Sequence, residues 1–217
     1  MKNIIHTPAY IPQEKIQEIK HYYDEVVNDS FSNGPKSNPK LKKQMQGCWD
    51  RPLRLENRDN PVHQLLEKLR NDFGNFEIHC SSIRYQAYPF GPHSDIRDSQ
   101  WLKDYRYKFN RGYTFLIPLW WQKNYTAGTG FFSCPPADDE PLYEDCYDLL
   151  PQHAESERKM IEKNFSVKKI VKWQQPGDLI AWMNFQWHCS LGPDDVTYSD
   201  KKWVKEFISI ETAYPKK

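Results

Sequence analysis

Apolar residues recur at helical spacing in the first third of this chain and at strand spacing after Gly74. From Pro12 to Asn28, Ile16, Ile19, Tyr23, Val26 and Val27 lie on one helical stripe with charges between them. A second helix is predicted after Asn60-Pro61, where Asn60 can cap and proline can occupy the first turn. Its stripe is Val62, Leu65, Leu66, Leu69 and Phe73. Between them, Ser30 to Gln46 is rich in Lys, Pro, Asn and Ser and reads as an exposed loop.

Beyond Gly74, short runs rich in Ile, Val, Phe, Tyr, Trp and Thr alternate with Pro, Gly and Asp clusters. They are residues 77–88, 112–121, 130–133, 166–173, 178–183 and 204–214. Helices followed by many strands predict a mainly β fold, with the helices outside one sheet of a sandwich or barrel. Residues 1–217 then form a single domain, with a helical part at 1–74 and a β part at 75–217. Residues 135–164 interrupt the β pattern. They open with six acids and no base between Asp138 and Asp148, continue as a predicted helix at 154–163, and have the length of a lid.

Composition narrows the function classes. Aromatic residues make up 15% of the chain, eight of them Trp, which suits a packed core despite a mean hydropathy of -0.87. A net charge of +1 lacks the basic excess of a general nucleic-acid binder. No apolar run reaches the ~18 residues of a membrane helix, and residues 1–10 do not read as a secretion signal. The five cysteines are odd in number and form no CxxC pair, so neither a disulfide framework nor a zinc knuckle is expected. A reducing, cytoplasmic setting is the expectation.

Candidate chemistry centres on Pro92-His93-Ser94-Asp95, just past a predicted strand. In extended backbone, residues two apart project to one side, so His93 and Asp95 can share an ion. One more histidine from a distant strand would complete a 2-His-1-carboxylate face of the kind that holds Fe(II). His188 is the candidate: it follows the turn Pro176-Gly177-Asp178 and an apolar strand, and precedes Gly192-Pro193. An isolated His-x-Asp recurs by chance, and it is this ordered context that makes the pair informative. Lys103 to Arg111 interleaves bases with aromatics, and reads as a solvated loop beside the site rather than a nucleic-acid platform, with binding of an anionic substrate group such as a carboxylate as a third reading.

These segments resemble the 2-oxoglutarate/Fe(II)-dependent dioxygenase superfamily, particularly its prolyl-hydroxylase-like and phytanoyl-hydroxylase-like branches. Arg84-Tyr85, Gly91 and His93-x-Asp95 resemble the stretch entering the HxD motif. Tyr113–Leu119 and Gly128–Phe132 resemble the next two barrel strands, and Pro176-Gly177-Asp178 with His188 resembles the distal-histidine segment. The resemblance runs through residues 77–214 in order. It implies a double-stranded β-helix, or jelly-roll, core and a hydroxylase acting on a small metabolite, amino acid or peptide. Its cofactors would be Fe(II), 2-oxoglutarate and O2, with succinate and CO2 released. It implies His93, Asp95 and His188 as both metal ligands and catalytic residues.

For the distal carboxylate of 2-oxoglutarate the resemblance implies a basic residue on the last strand. Lys205 is the match, with Ser209 four residues on along the same face, and Arg111 at the entrance to another strand is its rival. Tyr85 matches a tyrosine whose hydroxyl would reach the same carboxylate. Asp95, a carboxylate where halogenating relatives have a small residue, favours hydroxylation or desaturation. No arginine pair follows His188, which argues against a nucleic-acid demethylase. The other reading is a non-catalytic or differently metallated cupin-like protein binding a small ligand. Cupin sites generally use three histidines and an acid.

Overall fold

The computed structural model describes residues 4–26, 32–33, 48–86, 109–110, 112–122, 127–132, 167–184, 186, 188–191 and 205–215. Two antiparallel sheets carry the strands β1 (Ile4–Thr7), β2 (Ser32–Asn33), β3 (Cys48–Pro52), β4 (Glu77–Gln86), β5 (Phe109–Asn110), β6 (Tyr113–Trp121), β7 (Gly128–Phe132), β8 (Val167–Lys172), β9 (Leu179–Met183), β10 (His188–Leu191) and β11 (Lys205–Pro215). The larger sheet runs β1-β9-β6-β11-β4-β3-β2, with β5 pairing β11 off this path, and the smaller runs β10-β7-β8. The chain therefore steps from the large sheet at β6 to the small one at β7 and β8. It returns at β9, crosses again at β10 and ends in the large sheet at β11. That alternation is the jelly-roll expected from the sequence.

The two predicted helices form: α1 (Gln13–His21) and α2 (Val62–Phe73). Asn60 caps α2, its Oδ1 accepting the Val62 N–H at 3.0 Å while its carbonyl accepts the His63 N–H. The first helix does not run on to Asn28 as α-helix; it changes to a π turn at Tyr22–Val26. The wider turn brings both Tyr22 and Tyr23 into the core. There the Tyr23 hydroxyl accepts from Asn60 Nδ2 at 2.7 Å and from the Arg54 N–H at 3.1 Å.

Ile16, Ile19, Leu65, Leu66 and Leu69 pack on Ile83, Phe115, Ile117, Ile208 and Ile210, which come from one face of the large sheet. Its other face meets the small sheet through Leu116, Ile180, Trp182 and Phe207 packed with Phe131, Val171 and Trp173. Burial on both faces explains why Phe115–Leu119 is an unbroken apolar run. Among the described residues, no helix is long and apolar enough to cross a membrane.

Five strands, β1, β2, β3, β5 and β10, lie outside the runs predicted from the sequence. β1 and β3 lie in stretches that carry no strand pattern, and Ser32–Asn33 pairs with Trp49 and Asp50 inside the segment read as a loop. Short edge strands carry too few alternating residues to declare themselves. The predicted lid at 135–164 lies outside the described residues. Among the described residues, Cys189 is a buried free thiol and Cys80 an exposed one.

Candidate active site

The turn that precedes His188 is built by three residues with separate tasks. Gly177 has φ +89, and a Cβ there would stand 2.2 Å from the Ile11 carbonyl oxygen. Only glycine allows this approach, in which the Ile11 N–H donates to the Gly177 carbonyl at 2.8 Å. Asp178 is fully buried and accepts the N–H groups of Ala9, Gln174 and Gln175, with His6 Nε2 3.4 Å away. Pro176-Gly177-Asp178 thus staples the N-terminal segment to the start of β9 and fixes where that strand begins.

His188 opens β10, opposite Phe131 of β7. Its ring is 6% exposed and lies against Trp182, with centroids 4.6 Å apart, and against Phe131. Nδ1 is 2.9 Å from the Gln186 carbonyl oxygen. A carbonyl only accepts, so Nδ1 carries the proton, which in a neutral ring leaves the lone pair on Nε2. Metal-binding imidazoles are oriented in this way. His93 and Asp95, the other expected ligands, lie outside the described residues. Among the described residues no three His, Cys, Asp or Glu side chains cluster closely enough to hold a metal ion.

Lys205 begins β11, where it lies opposite Gln86 of β4 and Trp121 of β6. It is 1% exposed, with Nζ 5.0 Å from the Trp173 ring centroid and 5.8 Å from that of Phe207. Lys205, Phe207, Ser209 and Glu211 share the face turned toward the small sheet, while Ile208 and Ile210 pack toward the helices. Buried beside Lys205 are Gln86 and, four residues along the strand, Ser209. Gln86 carried no signal in the sequence and is visible only through strand register.

Tyr85 lies on the other face. It is opposite Glu206, one residue past Lys205, and packs in the helix-side cluster. Burial pushes its hydroxyl well above the ordinary tyrosine range, and the nearby Glu206 adds to the shift. Its hydrogen-bond partner is Arg51, which is also within 3.6 Å of Asp24, while Glu206 pairs with Lys20 of α1. The structure therefore puts Lys205 and Ser209 on the same inward face, four residues apart, and Tyr85 on the other. Arg111 lies outside the described residues.

No protein-family model and no curated protein matches the sequence. Solved structures do match the fold. One is the non-heme alpha-ketoglutarate-dependent carbocyclase SnoK from nogalamycin biosynthesis, at TM-score 0.59 and 10% identity, covering 98% of this chain and 79% of that one. A second is a prolyl hydroxylase from Trichoplax adhaerens in complex with a hypoxia-inducible-factor peptide fragment, at 0.54 and 11%, covering 99% and 84%. A third is HygX from Streptomyces hygroscopicus with nickel and 2-oxoglutarate bound, at 0.51 and 9%, covering 98% and 83%. At these identities the likeness shows the fold alone, which this chain shares with those three structures.

Proposed function

We propose that this protein is an Fe(II)- and 2-oxoglutarate-dependent oxygenase that hydroxylates a small metabolite, amino acid or peptide and releases succinate and CO2. The observation that carries the reading is Lys205. In a fold shared with such oxygenases, an ammonium at 1% exposure opens the last strand on the inward face of the jelly-roll. An ammonium so placed can receive a carboxylate in a charge-assisted contact. The distal carboxylate of 2-oxoglutarate is the anion proposed, with Ser209 and Gln86 as neighbouring hydrogen-bond groups. The rings of Trp173 and Phe207 exclude water and so strengthen that contact.

His188, His93 and Asp95 are the residues proposed to hold iron. The donor set suits ferrous iron: two imidazoles and one carboxylate leave an open face. Bound iron would supply the oxygen activation. The chain's part is to present the Nε2 lone pair of His188, held in place by the Gln186 carbonyl and by Trp182. Tyr85 is left out of the proposed cosubstrate site because of the face it occupies.

Purified protein given Fe(II) and 2-oxoglutarate without oxygen is expected to develop the visible charge-transfer absorption of a chelated keto acid. With oxygen it should form succinate. His93→Ala, Asp95→Ala and His188→Ala should each abolish both. Iron binding without the band or succinate would overturn the reading in favour of a cupin-like ligand-binding protein.

A further inference from the structure

The inward face of the large sheet has two unlike halves. On β6 and β9 it is apolar and covered by the small sheet through Leu116, Ile180 and Trp182. On β3, β4 and β11 it is charged. Arg84 of β4 stands opposite both Asp50 of β3 and Phe207 of β11. Its Nε is 3.3 Å from Asp50 Oδ1 and its Nη2 is 3.3 Å from Glu211 Oε1. The paired residues Ser82 and Ser209, both short, let the long Arg84 side chain lie across toward Glu211.

Strand register places this cluster relative to His188. Trp182, which touches the His188 ring, is opposite Thr114; Thr114 is opposite Glu211; and Glu211 is opposite Cys80. Glu211 is therefore in the same cross-strand row as Trp182, two strands over, or about 10 Å at ordinary strand spacing. Lys205 is at the other end of the same strand face. A molecule held near His188 and not occupying the Lys205 end would have Glu211 and Arg84 beside it.

We propose that Arg84, Asp50 and Glu211 form the substrate-recognition surface of this site, and that the substrate carries a cationic nitrogen, an ammonium or guanidinium. This rests on the oxygenase reading above. Arg84 is oriented by two carboxylates, and the three groups together carry one positive and two negative formal charges. The side chains keep 24%, 26% and 13% of their surface for Arg84, Asp50 and Glu211, so they are not sealed in the core. A cationic N–H donor can join the carboxylates in charge-assisted hydrogen bonds. An anionic substrate would meet two like charges for each guanidinium.

The test measures succinate release with the Nα-acetyl amides of L-arginine and L-lysine as cationic probes, and with the Nα-acetyl amides of L-norleucine and L-glutamate, which then lack any ammonium, as neutral and anionic counterparts. The expected result is stimulation above the uncoupled rate by the cationic pair, at least tenfold over the others. Glu211→Gln should raise the KM for the cationic probe about tenfold more than that for 2-oxoglutarate, and Glu211→Asp should restore most of the preference. If Glu211→Gln fails to fold, the wild-type probe panel decides. A panel that shows no preference, prefers glutamate or norleucine, or stimulates nothing overturns the proposal. So does a Glu211→Gln variant that loses stability while keeping the wild-type preference, because that is the behaviour of a purely structural ion pair. Absence of any charge-transfer band or uncoupled turnover would instead sink the parent reading.

Discussion

At the scale of single residues, the most consequential arrangement is the parity of β11 and β4. Lys205 and Glu206 are neighbours on opposite faces, and each takes its cross-strand partner with it: Gln86 inward, Tyr85 toward the helices. A charge-assisted contact of the kind proposed for Lys205 is worth about 1.5–3 kcal/mol, or about ten- to a hundredfold in affinity. Lys205→Ala should therefore raise the KM for 2-oxoglutarate by about that factor, with iron affinity little changed. Tyr85→Phe removes a hydroxyl bonded to Arg51 on the far face, so its KM for 2-oxoglutarate should stay within about twofold of wild type. Arg111→Ala is the informative comparison. Steady-state titration of 2-oxoglutarate would move the anchor to Arg111 if that variant weakened binding and Lys205→Ala did not.

At the scale of elements, the turn before β9 and the end of α2 offer a matched pair of glycines. Both have positive φ, +89 at Gly177 and +86 at Gly74. A Cβ at Gly74 meets only Tyr214 Cε1 at 3.9 Å, so Gly74→Ala bears backbone strain alone, about 1–3 kcal/mol. At Gly177 the same change also drives a Cβ to 2.2 Å from the Ile11 carbonyl oxygen. Gly177→Ala should then be the more destabilising of the two, as read by the midpoint of urea unfolding. Equal midpoints would mean that the turn is not pinned on Ile11. The turn was legible in the sequence as Pro176-Gly177-Asp178, but its partner was not. Nothing in residues 4–11 announces that they will form an edge strand and fold back over that turn.

At the scale of the whole molecule, tyrosines that are wholly or partly buried make stability sensitive to alkali. Burial raises the hydroxyl pKa of Tyr10, Tyr23 and Tyr85, and pushes Tyr214 up to about 12. The unfolded chain ionises these groups near their ordinary value of about 10, while the folded chain still holds their protons. Above that pH the folded state binds more protons than the unfolded one, so stability must fall as pH rises. Unfolding midpoints measured between pH 8 and 11 should be flat at first and then decline, and a rising midpoint would contradict the burial of these rings. Ligands should act the other way. Iron and 2-oxoglutarate at about a hundredfold excess over Kd add about 2.7 kcal/mol. For a domain of this size that is a rise in Tm of about 5–10 °C, measured anaerobically.

The order of elements, the helix caps and the strand periods were readable along the chain because they are local: each depends on neighbours within a few residues. Val62, Leu65, Leu66 and Leu69 declare a buried helix face, and Asn60 declares where it starts. Lys205, Phe207 and Ser209 declare one face of a strand. Which faces meet is a different matter, because it depends on register between strands far apart in sequence. Tyr85 follows Arg84 directly, and the sequence alone cannot say which of the two turns inward. Pairing with Glu206 sends Tyr85 to the helices, and pairing with Phe207 sends Arg84 inward to Asp50 and Glu211. A shift of one residue would exchange them. The chain by itself therefore determined the fold class and the candidate metal ligands. Only the tertiary structure decided which charged side chains share a face with Lys205, turned toward the small sheet that carries His188.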